Sequence, residues 1–248
     1  MLIVEDNEDI LFTIRNILQK QYNVYTASNG AMALEIVKDN NIDIIVSDVM
    51  MPEMDGLELC RTIKGDLETS HISILLLTAK NRVEDRIECY EAGTDGYISK
   101  PFDMKVLVAR ISNLLNKKKQ KQQEFKANRE IKIETLGYPS LDEQFLTDAV
   151  KIIENNLSDS DFNIDTYSTL LNLSKSSLYR KLKTMTSLSP NEFIRNIRLK
   201  HACQMLKDPS ISISEVAYSV GFTDPRYFST CFRNEFEMTP TEYQKAQN

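Results

Sequence analysis

Short apolar runs in the first hundred residues end repeatedly on polar side chains, and this pattern constrains the fold more than any other feature of the 248-residue chain. Leu2-Ile3-Val4 leads into Glu5 and Asp6, Ile42-Asp43-Ile44-Ile45-Val46-Ser47 into Asp48, Ile74-Leu75-Leu76-Leu77 into Thr78, and Tyr97-Ile98-Ser99 into Lys100. Helix-period segments separate the runs. The alternation predicts a parallel sheet between helices, with strands near 2–5, 22–26, 42–47, 73–77 and 96–98. Helices are expected near 8–20, 30–38, 55–64 and 82–91, and a fifth begins near Asp103. Such sheets bind ligands outside the carboxyl ends of their strands, where strand order reverses. The polar strand ends are therefore the candidate site.

Four segments in order, Val4-Glu5-Asp6-Asn7, Asp48 to Gly56, Leu77-Thr78-Ala79 and Lys100-Pro101-Phe102, resemble the receiver domain of bacterial two-component response regulators. The resemblance covers residues 1 to about 115 and implies a flavodoxin-like, doubly wound, five-stranded parallel sheet. The charges point the same way. Carboxylates converging at a sheet edge repel one another and resist desolvation, and a hard divalent cation relieves both problems. Mg²⁺ suits carboxylate, carbonyl and water oxygens, so Asp6, Asp48 and the main-chain carbonyl of Met50 are expected ligands, with Glu5 nearby or acting through water. Asp48 is then the expected nucleophile for a phosphoryl group, and Lys100 and the metal neutralise its oxygens. The resemblance further implies that Thr78 turns toward the phosphate, that Tyr97 follows it inward, that Ala79 keeps the approach open, and that the Lys100-Pro101 bond is cis.

From Asn116 the composition changes. Asn116-Lys117-Lys118-Lys119-Gln120-Lys121-Gln122-Gln123 holds no apolar residue, so residues 116–140 are expected to be a linker or a continuation of the fifth helix. Leu141 to Leu157 is an amphipathic helix by spacing, with Phe145, Ala149, Ile152, Ile153 and Leu157 near one face. Beyond Asn163 lies an internal repeat. Leu182-Lys183 matches Phe232-Arg233, Leu188-Ser189-Pro190 matches Met238-Thr239-Pro240, and Phe193 matches Tyr243, each 50 residues apart. Each copy holds a short helix, a tight turn and a second helix, joined by a long helix from Asn191 to about Lys207.

Ser174 with Leu178-Tyr179-Arg180-Lys181-Leu182-Lys183, Ile197-Arg198-Leu199, Gly221-Phe222, Tyr227-Phe228 and Thr239-Pro240 resemble the AraC-family DNA-binding domain. The match implies an all-α domain over 141–248 with two helix-turn-helix motifs. Their second helices would enter successive major grooves about one DNA turn apart, roughly 34 to 36 Å. Expected contacts from the first are Lys175, Ser176, Ser177, Tyr179, Arg180 and Lys183, and from the second Asp224, Arg226, Tyr227, Ser229, Thr230 and Arg233. Arg180 and Arg226 are the candidates for base edges, since guanidinium pairs bidentately with guanine, while lysines, Arg233 and hydroxyls suit phosphates. Leu178, Leu182, Phe228 and Phe232 recur on one helical face as core. Ser187 and Glu237 stand where that family has a helix-ending Gly, and Asn172 replaces a turn Gly.

Charge divides unevenly. Residues 1–115 hold 11 Lys and Arg against 19 Asp and Glu, a net of −8, and the remainder holds 19 against 17, a net of +2. The acidic half is excluded as a nucleic-acid surface, and the motif rather than the charge carries DNA binding. Cys60, Cys89, Cys203 and Cys231 lack paired spacing, which predicts reduced thiols and a cytoplasmic setting. No run is apolar enough to span a bilayer, so this segment is expected to make no membrane contact. His71 and His201 lack kinase-like surroundings and are expected to be structural, so the phosphoryl donor is a histidine kinase, separate or fused upstream. Met1-Leu2-Ile3-Val4 leaves almost no lead-in to a central strand, and the motifs resemble the C-terminal part of hybrid two-component regulators. A fragment of such a protein is expected, its parent anchored in the inner membrane.

The reading reached is a phosphoacceptor, not an enzyme, that forms a homodimer when phosphorylated and controls transcription through double-stranded DNA. One alternative is a phosphate-independent dimeric DNA-binding regulator. Another is an aspartyl-phosphate phosphatase, against which stands Met50, where such an enzyme has a second Asp two residues past its nucleophile.

Overall fold

The computed structural model describes residues 1–79, 83–130 and 133–247, with residues 83–86 described by backbone alone. The chain divides into two compact units, Met1–Gln120 and Lys121–Asn248.

In the first unit β1 (Leu2–Val4), α1 (Glu8–Leu18), β2 (Tyr25–Ala27), α2 (Gly30–Asp39), β3 (Ile44–Asp48), α3 (Gly56–Gly65), β4 (Ser73–Thr78), α4 (Val83–Glu91) and β5 (Gly96–Ser99) alternate before α5 (Met104–Ala127) begins. All strands pair in parallel in the order β2-β1-β3-β4-β5. Strand order reverses between β1 and β3. The central strands are buried on both faces, which is why they read as unbroken apolar runs. Their period of two splits them between two cores. Leu2, Val4, Ile45, Ile74 and Leu76 pack with residues of α2 and α3, and Ile3, Ile44, Val46, Leu75 and Leu77 pack with residues of α1 and α5. Asn7, Asn29 and Asp55 cap α1, α2 and α3 by accepting from amides of the first turn.

Some element boundaries differ from expectation by a few residues. β2 begins at Tyr25 rather than 22, because its ladder with β1 runs only from Leu2↔Tyr25 to Val4↔Ala27. Tyr22 and Val24 pack against the α1 and α5 side of the core instead. The predicted start of α4 at 82 lies outside the described residues.

The second unit opens with the last residues of α5 and a short 3-10 turn (Glu134–Leu136), followed by α6 (Ser140–Asn155), α7 (Ile164–Leu170), α8 (Lys175–Thr186), α9 (Pro190–Met205), α10 (Ile213–Ser219), α11 (Pro225–Phe236) and α12 (Pro240–Ala246). The expected linker of 116–140 is therefore partly helix, and Phe125, Ile133 and Leu136 within it belong to the core. Phe125 is buried and stacks on Phe193 with centroids 5.5 Å apart, and Ile133 and Leu136 are also buried. The compact second unit thus begins at Lys121 rather than 141. An isolated Phe within a Lys- and Gln-rich stretch carries no periodic signal, so sequence spacing did not show this.

The repeat appears as α7 with α8 and α10 with α11, and Leu178, Leu182, Phe228 and Phe232 are fully buried. Capping boxes open α9, α10 and α12: Ser189 with Glu192, Ser212 with Glu215, Thr239 with Glu242. His201 pairs with Glu154 at 3.0 Å, in keeping with a structural role.

Ser187 and Glu237 take the left-handed conformation (φ 64° and 59°) that ends α8 and α11, and Asn172 takes it in the first turn (φ 54°). A side chain there costs roughly 1–2 kcal/mol, partly offset because Gly loses more backbone entropy on folding. Ser187→Gly and Glu237→Gly are each expected to stabilise the second unit by about 0.5–1 kcal/mol. Urea denaturation followed by helical circular dichroism reads this directly, and a destabilised variant would contradict it.

Candidate functional site

Asp48 is the last residue of β3 and is 7 % exposed. Its Oδ1 accepts from the amide of Val49 at 2.7 Å, which fixes the carboxylate plane. Its Oδ2 accepts from Lys100 Nζ at 2.7 Å. Lys100 also donates to Glu5 Oε2 at 2.8 Å, so one ammonium bridges acids from two adjacent strand ends. The amide of Lys100 donates to the carbonyl of Thr78 at 2.7 Å, which holds the residue after β5 against the end of β4. The Lys100-Pro101 bond is cis. Thr78, at the end of β4, is buried at 3 % exposure. Tyr97 is half-buried and meets Tyr90 edge-to-face at 5.7 Å.

Glu5, Asp6 and Asp48 each offer an oxygen, and these atoms lie within 4.8 Å of one another. Asp6 is exposed and Glu5 is 1 % exposed. An open cleft lined by Asp6, Val49, Met50, Met51, Asp55, Leu57 and Glu88 leads to the cluster. Three carboxylates against one ammonium leave the site anionic, and an all-oxygen donor set at that spacing fits a hard divalent ion such as Mg²⁺.

The loop after Asp48 is held from beneath. A Cβ on Gly56 would lie 2.0 Å from the Asp48 carbonyl oxygen, so no other residue fits there. Glu53 adopts φ 67° and accepts from Asn29 Nδ2 at 3.1 Å, while Gly30 donates its amide to the Met54 carbonyl at 3.1 Å. These supports were missed from sequence. The glycine lay inside the recognised segment, but no pattern marked Asn29.

Burial pushes the Glu5 carboxyl above its usual range, the Lys100 bond opposes this, and the Asp48 charge adds to it. Burial alone would lower Lys100, but its bonds to Asp48 and Glu5 outweigh that and hold it above 10.5. For Glu5 the folded protein thus binds a proton more readily than the unfolded chain. Stability should therefore fall as pH rises from 4.5 through the raised folded value, in the absence of divalent cations. Glu5→Gln is expected to flatten that part of the profile in thermal melts; an unchanged slope would contradict it.

In the second unit Lys175, Ser176, Tyr179 and Lys183 are exposed on α8, and Arg180 is half-buried. Lys175 pairs with Asp165, and Lys183 lies 3.8 Å from Glu192. Ser177 departs from expectation. It is 4 % exposed, and its hydroxyl and amide pair with the Ser174 cap, so it belongs to the helix start rather than the surface. On α11, Arg226, Tyr227, Thr230 and Arg233 are exposed. Asp224 is the N-cap, accepting from the Arg226 amide at 2.8 Å, and Ser229 donates to the Pro225 carbonyl at 2.9 Å. Both therefore have local structural work as well.

Residues 1–112 match the response regulator receiver domain family, and residues 167–246 match a helix-turn-helix domain family. Residues 1–112 are a receiver domain and residues 167–246 an AraC-type helix-turn-helix domain. It is 42 % identical over 244 residues, 98 % of its length, to Histidine kinase P4 of Formosa agariphila, of which it spans 18 %. The receiver domain is 36 % identical over 117 residues to Heme response regulator HssR of Staphylococcus epidermidis, an alignment covering 47 % of the chain and 51 % of that protein. A solved chemotaxis response regulator, CheY4 of Vibrio cholerae, aligns at 31 % identity and TM-score 0.44 over 46 % of the chain and 95 % of its own. No helix among the described residues is long and apolar enough to cross a membrane.

Proposed function

We propose that the protein is a response-regulator transcription factor that accepts a phosphoryl group on Asp48 and thereby controls its binding to DNA. The observation that carries this is the meeting of Asp48, Asp6, Glu5 and Lys100 at the point where strand order reverses, in a chain that also holds two helix-turn-helix motifs. An Asp48 oxygen attacks phosphorus, the bond to a donor histidine nitrogen breaks, and the electron pair stays on that imidazole, which then takes up a proton. Lys100, already on Asp48 Oδ2, is placed to neutralise the transferred group. Asp6, Asp48 and the Met50 carbonyl would hold Mg²⁺ with Glu5 beside it, and when bound the ion would shield the phosphoryl oxygens from the carboxylates.

Thr78 and Tyr97 are the switch in this reading. Each would take different contacts with and without the phosphoryl group, because phosphate shifts a population only through such differences. The partners are a histidine kinase as donor, a second copy of the chain once phosphorylated, and double-stranded DNA contacted through exposed residues of α8 and α11. The similarity of both domains to part of a protein named as a histidine kinase supports a donor within one longer polypeptide.

The test is labelling by acetyl phosphate with and without Mg²⁺, followed by binding to DNA selected from a random duplex pool. Mg²⁺-dependent label on Asp48 and tighter DNA binding after labelling are expected. Equal DNA affinities would favour the phosphate-independent regulator.

A further inference from the structure

The segment between Asp48 and α3 carries the main-chain carbonyl of Met50, an expected metal ligand. Met50 is 61 % exposed, and among the described residues neither it nor Met51 takes part in a hydrogen bond. The carbonyl is therefore placed by what grips the chain on either side. On one side Val49 donates its amide to the Leu77 carbonyl at 2.9 Å and accepts from the Gly56 amide at 3.0 Å. On the other, the start of α2 holds Glu53 and Met54. Asn29 donates through Nδ2 to Glu53 Oε2 at 3.1 Å, and Gly30 donates its amide to the Met54 carbonyl at 3.1 Å. The approach is close, since a Cβ on Gly30 would lie 2.6 Å from Met54 Cγ.

Asn29 uses both ends of its amide. Its Oδ1 accepts from the Met32 amide at 2.9 Å and so caps α2, while its Nδ2 holds the loop, and the residue is 6 % exposed. Capping alone does not call for an amide, because Asp caps a helix equally well and its charge is favoured at the N-terminus. Reaching Glu53 does, because an amide side chain can accept and donate at once and a carboxylate cannot. Glu53 itself sits at φ 67°, a conformation unfavourable for any residue with a Cβ. A bond to its carboxylate steadies a turn that the backbone alone disfavours.

We propose that Asn29, through Glu53, is a positioning residue that keeps the Met50 carbonyl where Mg²⁺ can use it. This rests on the phosphoacceptor reading above. Mg²⁺ demands near-ideal octahedral geometry, so a ligand that wanders weakens binding even when every donor is present. Partners that orient metal ligands are commonly worth about 10- to 100-fold in affinity. α2 thereby acts on a site to which it supplies no ligand.

The test uses the full chain and Asn29→Asp, which keeps the cap and loses the donor. Thermal midpoints and initial rates of labelling by acetyl phosphate are both followed across a Mg²⁺ titration. Asn29→Asp is expected to need about tenfold more Mg²⁺ than the wild type to reach half of either effect, with a midpoint in EDTA close to the wild type. The sign is informative, because an added carboxylate acting through charge alone would attract the cation and lower the demand. Adding Glu53→Gln to Asn29→Asp restores the original charge and supplies a donor from position 53 to the carboxylate at position 29. The double variant is expected to recover most of the loss, a coupling that two independent changes would not show. An unchanged Mg²⁺ demand in the single variant, or a double variant no better than the single, would overturn the proposal. A wild type that Mg²⁺ neither stabilises nor renders able to take the label would overturn the phosphoacceptor reading and this inference with it, which separates the two failures.

Discussion

Replacing Lys100 with Ala is expected to slow phosphoryl transfer to Asp48 about 100- to 1000-fold, the usual cost of removing one preorganised electrostatic partner. The nucleophile stays in place, since the Val49 amide still holds its Oδ1. What is lost is the ammonium 2.7 Å from Oδ2, the group positioned to meet the charge of the incoming phosphoryl oxygens. The same change leaves Glu5, 1 % exposed, without its hydrogen-bonded cation. Its carboxyl should then rise further, and the variant should depend more steeply on Mg²⁺ for thermal stability. Single-turnover labelling measures the first effect, and thermal melts across a Mg²⁺ titration measure the second. A rate within tenfold of wild type, in a variant with unchanged circular dichroism, would remove Lys100 from the chemistry.

Lys181→Met is expected to cost the second unit about 3–5 kcal/mol, the range for breaking a buried ion pair by removing one partner. Lys181 on α8 is wholly buried, Asp142 on α6 is 2 % exposed, and their atoms meet at 2.7 Å. The ammonium also lies 5.0 Å from the Phe145 ring. Removing it takes the paired ammonium from a buried carboxylate, whereas Asp142→Leu with Lys181→Met removes both charges and should recover most of the loss. Urea titrations of the two singles and the double decide the matter, because the coupling between the sites is the quantity that additive losses would lack.

Most of the first unit was readable because its strands are covered on both faces. Burial of that kind makes apolar runs continuous, and the residues ending them fall where the sheet opens. Glu5, Asp6, Asp48, Thr78 and Lys100 could be placed by counting alone. Tyr97 could not, since a ring at the end of a half-buried strand looks the same whether it packs or moves. In the second unit the repeat exposed both motifs, and Leu178, Leu182, Phe228 and Phe232 marked the buried face, but nothing marked which polar residues at the helix starts turn inward. Ser177 was misplaced for that reason: hydroxyls near a helix start serve caps as readily as ligands. The burial of Phe125, Ile133 and Leu136 was hidden because isolated apolar residues in a polar stretch leave no period. Lys181, Arg198 and Lys200 were equally hidden, because cations inside a helical core look like ordinary surface positions in a sequence.

The capping boxes that open α9, α10 and α12 each specify a helix start within four residues, before any distant part of the chain has arrived. Chains rich in such short-range information reach their native state quickly, because little loop closure must precede the first favourable contacts. The helical half should thus regain its shape within milliseconds after local opening, faster than a parallel sheet whose neighbours lie tens of residues apart. A helical surface rebuilt on that timescale spends little time with its apolar face exposed.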